Sequence, residues 1–393
     1  MIDFSFSPKA EALRAEVRAF CAENLPPELR KLGFMESDHP PRRLTDEWQR
    51  RLAHKGWAAP RFPVEYGGTG WSDELHYAFE REMALQGAPR PDSAMMMIGP
   101  TILHYGTEAQ KAKFVSKMVT GEQRWCQGFS EPNAGSDLAS IQSRAVRDGD
   151  DYILNGSKMW TTDGHTTDWM FAIFRTDNSG RKQQGITFLL LDMKSPGVTV
   201  EPIMTFGHHH IVNQVFFDNV LVPVANRLGE EGQGWGVTKY LLTLERFGTA
   251  EVSRSLATLG RLKQHICATV PAKETTVAQI ILLADVARAE AELMALEATE
   301  VRMLFGEGGS ESLGAESSLL KVRGTEIQQR ILELSHRILG DAAVAERPAT
   351  GNETAPPLSS YIAGARFNFR KTSIYAGSNE VQKNIIAKAV LGL

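Results

Sequence analysis

Glu245 stands in Leu241-Leu242-Thr243-Leu244-Glu245-Arg246-Phe247, a glutamate set among leucines. A carboxylate reaching from there into an apolar pocket has its pKa raised by desolvation, as a general base for a weak carbon acid needs. Its i−4 and i+4 neighbours are Leu241 and Thr249, so no local ion pair explains it. A solvated surface position, the commoner fate of a helical glutamate, stands beside that reading. A second group is Gln127-Gly128-Phe129-Ser130-Glu131-Pro132-Asn133-Ala134-Gly135-Ser136-Asp137. A backbone leaving a sheet exposes unpaired N–H and C=O groups. Ser130 adds a hydroxyl, Pro132 and Gly135 are expected to force the chain to turn, and Ser136 presents another hydroxyl. The same residues also describe a tight interstrand turn. Trp160-Thr161-Thr162 reads either as an aromatic wall with a hydroxyl beside it or as a plain core aromatic. The last group is Ile374-Tyr375-Ala376-Gly377-Ser378-Asn379-Glu380-Val381-Gln382.

The elements that position these groups follow the order helices, strands, helices. Ala10, Leu13, Val17 and Phe20 recur at helical spacing, and Pro26-Pro27 closes that segment. Further helices are expected over residues 45–55, with Thr45 as N-cap and Leu44 as a staple, over 73–86 and over 108–119. From residue 124 to 228 strand-like runs alternate with turn signals, including Asp148-Gly149-Asp150 and Asn155-Gly156, both read as hairpin turns. Strands are expected at 152–154, 169–174, 185–192, 198–202 and 215–222, a density that suits a small β-sandwich or barrel. The helical period returns at Gly234. One helix is expected to run to Ile266, and others span 276–305, 317–339 and 378–388. Residues 306–314 and 347–358 read as irregular. The expected domains are a helical one over 1–122, a β domain over 123–232 and a helical bundle over 233–393.

Bulk properties exclude several classes. A chain of 393 residues is too long for one small core. With 42% hydrophobic and 23% charged residues and a net charge of -4, it reads as a globular protein with no expected affinity for nucleic acid. Cys21, Cys126 and Cys267 form neither a disulfide framework nor a metal motif, so a reducing compartment and a cytoplasmic location are expected. No apolar run approaches membrane-spanning length, and the start shows no signal peptide. His208-His209-His210 invites a metal reading, but neighbours on an extended chain point to opposite faces, so a loop is expected instead.

Residues 127–137, the Trp160-Thr161-Thr162 triplet and the C-terminal run, three separated motifs in order, resemble those of the acyl-CoA dehydrogenases over essentially the whole chain. The resemblance implies an α+β multidomain fold of helical, β and helical-bundle domains, and FAD as cofactor. It places Ser130 on the flavin pyrimidine ring and Trp160 and Thr162 at the ring's flank, the threonine near N5. Gln127, Phe129, Gly135, Ser136, Ser378 and Glu380 complete the implied cofactor contacts. Ser136, Arg246, Tyr375 and Ala376 are the implied substrate contacts, with the Ala376 backbone at the thioester oxygen. Many members carry the catalytic glutamate where this chain has Ala376, which cannot take a proton. Others place it on a helix of the last domain just before an arginine, and Leu244-Glu245-Arg246 sits in that place. The implied reaction is α,β-dehydrogenation of an acyl-CoA to the trans-2-enoyl-CoA. Glu245 removes the α-proton, a hydride passes to flavin N5, and an electron-transfer flavoprotein accepts the electrons.

The pattern also departs from the family. Arg261-Leu262-Lys263-Gln264-His265-Ile266-Cys267 lacks the Phe-Gly of members forming symmetrical homotetramers. The later Gly-rich stretch survives only as Leu339-Gly340-Asp341-Ala342-Ala343. Both fit a subgroup pairing unlike subunits, so the implied assembly is a homo-dimer, a homotetramer or a hetero-oligomer. Arg366-Phe367-Asn368-Phe369-Arg370-Lys371 and Asn213-Gln214-Val215-Phe216-Phe217 are similar to stretches of the large subunit of the pimeloyl-CoA dehydrogenases. A dicarboxylyl substrate would need a buried arginine, for which Arg90 is a candidate. Two other readings remain at this point: a non-catalytic subunit that completes a partner's FAD site, and a flavin monooxygenase or oxidase on the same scaffold.

Overall fold

The computed structural model describes residues 6–34, 40–206, 210–248, 250–270, 275–306, 317–344 and 357–393, without the side chains of 245–248. Two compact units emerge. One comprises Met1–Pro40, Trp71–Arg90 and Arg246–Leu393, and the other Pro41–Gly70 and Pro91–Glu245.

The second unit is built on an eight-stranded sheet. Its strands are β1 (Trp125–Gly128), β2 (Arg144–Asp148), β3 (Asp151–Thr162), β4 (Trp169–Arg175), β5 (Ile186–Asp192), β6 (Val198–Met204), β7 (His210–Pro223) and β8 (Arg227–Leu228). They lie in the order β6-β7-β3-β2-β4-β5-β8, with β1 parallel to β4. Every residue of β4 is buried, which explains its continuous apolar reading. Alternation sorts the side chains: Phe171 and Ile173 join a core with Phe129, Phe188 and Phe114, whereas Met170, Ala172 and Phe174 join a second with Tyr152 and Val215. Helices of the same unit include α3 (Arg42–Lys55), α5 (Ser93–Tyr105) and α6 (Glu108–Val119), and α7 (Gly234–Gly248) begins in it.

Several expectations change. The helix at 45–55 starts at Arg42 behind Pro41, so Thr45 is no cap; its hydroxyl bonds the Arg42 carbonyl and Leu44 is buried. Asp148↔Asp151 closes a hairpin, but Asn155-Gly156 does not. Those residues lie inside β3, where β7 bulges opposite Asn155 and Asn219 takes φ 50°. The Asn155 side chain accepts from Asn219 N and donates to Asn219 Oδ1, stabilising that bulge.

The first unit is helical. It contains α1 (Pro8–Asn24), α2 (Pro27–Phe34), α4 (Asp73–Leu85), α8 (Val252–Thr269), α9 (Val277–Phe305), α10 (Ser317–Leu339), α11 (Ile362–Asn368) and α12 (Asn379–Ala389). The period through Phe247 does not continue to Ile266 as one helix: α7 stops at Gly248, Glu251 adopts φ 50°, and α8 starts afresh. Thr276 and Gln279 form a reciprocal capping box at the start of α9. The loops expected at 306–314 and 347–358, and His208 with His209, fall largely outside the described residues. No helix among the described residues is long and apolar enough to cross a membrane.

Candidate functional site

In the sheet unit, β1 carries half-buried Gln127 beside β4, with Gln127 opposite Phe171. Phe129 is buried, its ring edge-on to Phe171 and Phe188, each 5.8 Å away. That packing fixes where the chain leaves the sheet, and Ser130 follows, half-buried. Glu131 and Ala134 then exchange backbone hydrogen bonds of 2.9 and 3.1 Å. The turn therefore closes before Gly135. A Cβ on Gly135 would meet nothing within 4 Å, so the backbone there does not require glycine, contrary to the expected role. Gly135 and Ser136 are exposed.

Beneath this turn lies a buried ion pair that the motifs did not announce. Lys158 Nζ is 2.7 Å from Glu131 Oε1, and neither side chain exceeds 7% exposure. The ammonium also donates to the Phe129 carbonyl at 3.3 Å, and the carboxylate accepts from Gln142 N and Ser143 N at 2.6 and 3.1 Å. Burial pulls the Lys158 pKa down, to about 8, although the Glu131 carboxylate opposes it. Burial alone would push the Glu131 carboxyl up; Lys158 and the bonds from Gln142 and Ser143 outweigh it and hold it below the usual range. A lone lysine in a strand reads as outward-facing, so only its pairing with a glutamate preceding a proline offered a signal.

Trp160 is not a core aromatic. It is 55% exposed and adopts φ 64°. The β3–β7 register explains it. Lys158 pairs with Val215 and Thr161 with Asn213, so Met159 and Trp160 together face Gln214. A bulge of this kind re-aims a side chain. Met159 N donates to the Ser130 carbonyl at 2.8 Å, tying the two motifs together on one strand. Thr162 follows at the end of β3, opposite Val212.

In the helical unit, the C-terminal run forms a tight loop. Ala376 and Gly377 take φ 53° and 79°. Buried Gln382 donates from Nε2 to the Ala376 and Gly377 carbonyls at 3.1 and 3.4 Å. Among the described residues nothing accepts from the Ala376 N–H. Tyr375 is partly exposed. Ser378 caps α12, accepting from Val381 N, and Glu380 lies in the first turn. A bond from its own backbone N–H, then Ser378, holds the Glu380 carboxyl below its ordinary pKa. Buried Lys321 anchors this end by donating to Asn379 Oδ1 at 2.9 Å. Gln382→Leu is expected to lower stability by about 1–2 kcal/mol through the lost carbonyl contacts. Chemical denaturation checks this, and an unchanged midpoint would mean that the loop holds its own shape.

Glu245 and Arg246 lie on α7, and their side chains are outside the described residues. Arg90, the candidate for a distal carboxylate, instead pairs with Glu251 at 3.3 Å.

Family models for the N-terminal, middle and C-terminal domains of acyl-CoA dehydrogenases match residues 7–122, 126–220 and 232–391. "Acyl-CoA dehydrogenase FadE26" of Mycobacterium tuberculosis is 31% identical, with 99% of this chain and 98% of the relative covered. The chain belongs to the acyl-CoA dehydrogenase family. Among solved structures, the "Tcur3481-Tcur3483 steroid ACAD" superposes with a TM-score of 0.88 at 29% identity, covering 100% of this chain and 99% of that one. The ChsE4-ChsE5 complex from Mycobacterium tuberculosis gives 0.85 at 31% identity, covering 100% and 99%. The expected fold of helical, β and helical domains is thereby established. So is an acyl-CoA dehydrogenase activity at the level of the family.

Proposed function

We propose that this acyl-CoA dehydrogenase desaturates an acyl-CoA at the α,β position with FAD, and that Glu245 removes the α-proton. The observation carrying the flavin half is the bulge at Met159-Trp160, which presents an exposed indole and ties its strand to Ser130. An aromatic that cannot pack inward, next to a half-buried hydroxyl and a turn open at Gly135, fits a flat heteroaromatic cofactor. Ser130, Trp160 and Thr162 would hold the ring, with Gln127, Phe129, Gly135 and Ser136 as further cofactor contacts of the sheet unit; in the helical unit Ser378 and Glu380 are proposed as cofactor contacts in their own right. When bound, FAD supplies the acceptor for the hydride leaving the β-carbon.

The Ala376 N–H, without an acceptor among the described residues, suits the thioester oxygen, where a donor lowers the cost of enolate charge. Gln382 holds the peptide that carries it. Tyr375, Arg246 and Ser136 are assigned to the rest of the acyl-CoA. The likeness to the ChsE4-ChsE5 complex and to the Tcur3481-Tcur3483 steroid ACAD supports pairing with an unlike subunit, and an electron-transfer flavoprotein is the proposed acceptor.

A visible spectrum of the purified protein, followed by anaerobic mixing with a panel of acyl-CoAs, tests the reading. Flavin absorbance near about 450 nm should bleach with at least one thioester. A protein that stays yellow with every thioester, alone and with an unlike subunit, would sink it.

A further inference from the structure

Asn213 is fully buried on β7 and holds three groups at once. Its Nδ2 donates to the Thr161 carbonyl at 3.0 Å and lies 3.2 Å from His165 Nδ1. Its Oδ1 is 2.7 Å from His210 Nε2. The two imidazoles stack with centroids 3.9 Å apart and planes 23° from parallel. Chemistry assigns the roles. A carbonyl only accepts, so Nδ2 must face Thr161, and its second hydrogen goes to His165. Oδ1 then accepts from a hydrogen on His210 Nε2. His165 Nδ1 must therefore be a bare lone pair, which makes His165 neutral with its proton on Nε2.

We propose that Asn213 is a positioning residue that fixes the Trp160–Thr162 segment for flavin reduction, and that it does so only while His165 is neutral. This rests on the proposed flavin site beside Trp160. The bulge leaves Met159 and Trp160 without a one-to-one partner on β7, so the Asn213–Thr161 contact is where that segment is pinned again. Protonating His165 sets an N–H against the Asn213 N–H and adds a cation to the imidazole stack. Burial, first, and His210 pull the His165 pKa below its ordinary value, with Asp163 in the same turn opposing them. The titratable groups facing it are thus His210 on β7 and Asp163. Because the folded pKa is depressed, the unfolded chain binds more protons just below about pH 6.5. The network's contribution is whole above that pH and falls as the medium is acidified toward the folded value.

The test compares wild type, Asn213→Leu and His165→Phe as FAD-loaded proteins. The first readout is the flavin absorption band between about pH 5 and 8, the range across which histidine changes charge, with no thioester present. The second is anaerobic reduction by butyryl-, octanoyl- and palmitoyl-CoA. The wild-type band should shift reversibly on acidification, and His165→Phe, which keeps a stacking ring but cannot titrate, should abolish the shift. Asn213→Leu should keep thioester affinity and slow reduction by about tenfold to a hundredfold, the effect of a small misplacement. An acid limb surviving in His165→Phe, or wild-type reduction by Asn213→Leu, would overturn the proposal and leave the flavin reading intact. Should Asn213→Leu fail to fold, or no thioester reduce the flavin, the His165→Phe band decides. A wild type that binds no flavin would overturn both.

Discussion

Glu245→Gln is expected to keep the yellow colour and acyl-CoA binding while losing flavin reduction by about 100-fold to 10,000-fold, the typical contribution of a positioned general base. Glutamine preserves size and polarity at position 245 and removes only the ability to take a proton. The α-hydrogen of a thioester is too weakly acidic for water to replace a held carboxylate. Ala376 cannot substitute. Its methyl carries no base, and Gln382 already occupies its carbonyl. Single-turnover mixing separates the step from product release. Reduction by Glu245→Gln at the wild-type rate would end this assignment and send the search to another carboxylate.

The helices and strands were legible because their signals are local. The run Trp169–Phe174 reads as a strand from its unbroken apolar character, one residue short of the observed Trp169–Arg175, and the expected helix at Glu108–Val119 has the observed bounds. The site was legible in its motifs and not in its supports. Ser130 and Trp160 stand out as residue types, yet what fixes them comes from elsewhere in the chain. The Glu131–Lys158 pair joins positions 27 residues apart, and Asn213 meets Thr161 across 52. Nothing in a strand's alternation announces a bulge, so Asn155-Gly156 read as a hairpin, and Trp160 taken alone read either as an aromatic wall or as core. Position in sequence gave no hint that Arg90 would be taken by Glu251, since that contact spans 161 residues and depends on an αL residue after a helix break.

Removing one partner of the buried Glu131–Lys158 pair should cost more stability than losing the Gln382 amide. Lys158→Met is expected to lower stability by about 3–5 kcal/mol, because it leaves the Glu131 carboxylate buried without its counter-charge. Glu131→Gln should cost less, since an amide still accepts from one of Gln142 N and Ser143 N. Flavin retention should fall with both, more steeply in Lys158→Met, because the pair fixes the Phe129 carbonyl and the turn next to Ser130. The double variant Glu131→Leu/Lys158→Met separates the roles. A neutral pair of similar volume should recover much of the stability, as buried pairs often allow, without restoring the bonds to Gln142 and Ser143.

The same pair sets an acid limit. The folded Glu131 carboxyl sits below its unfolded pKa, so its contribution is complete above the unfolded value. It is lost as pH falls through the folded one. Wild type should therefore destabilise and release flavin together at the acid end, and Glu131→Gln should flatten that limb. Denaturant midpoints across pH, read beside flavin absorbance in the filtrate, give the answer. If the slope is the same in Glu131→Gln and wild type, the acid sensitivity belongs to other carboxylates. If flavin leaves Lys158→Met no faster than wild type at equal folded fraction, the pair supports the sheet rather than the site.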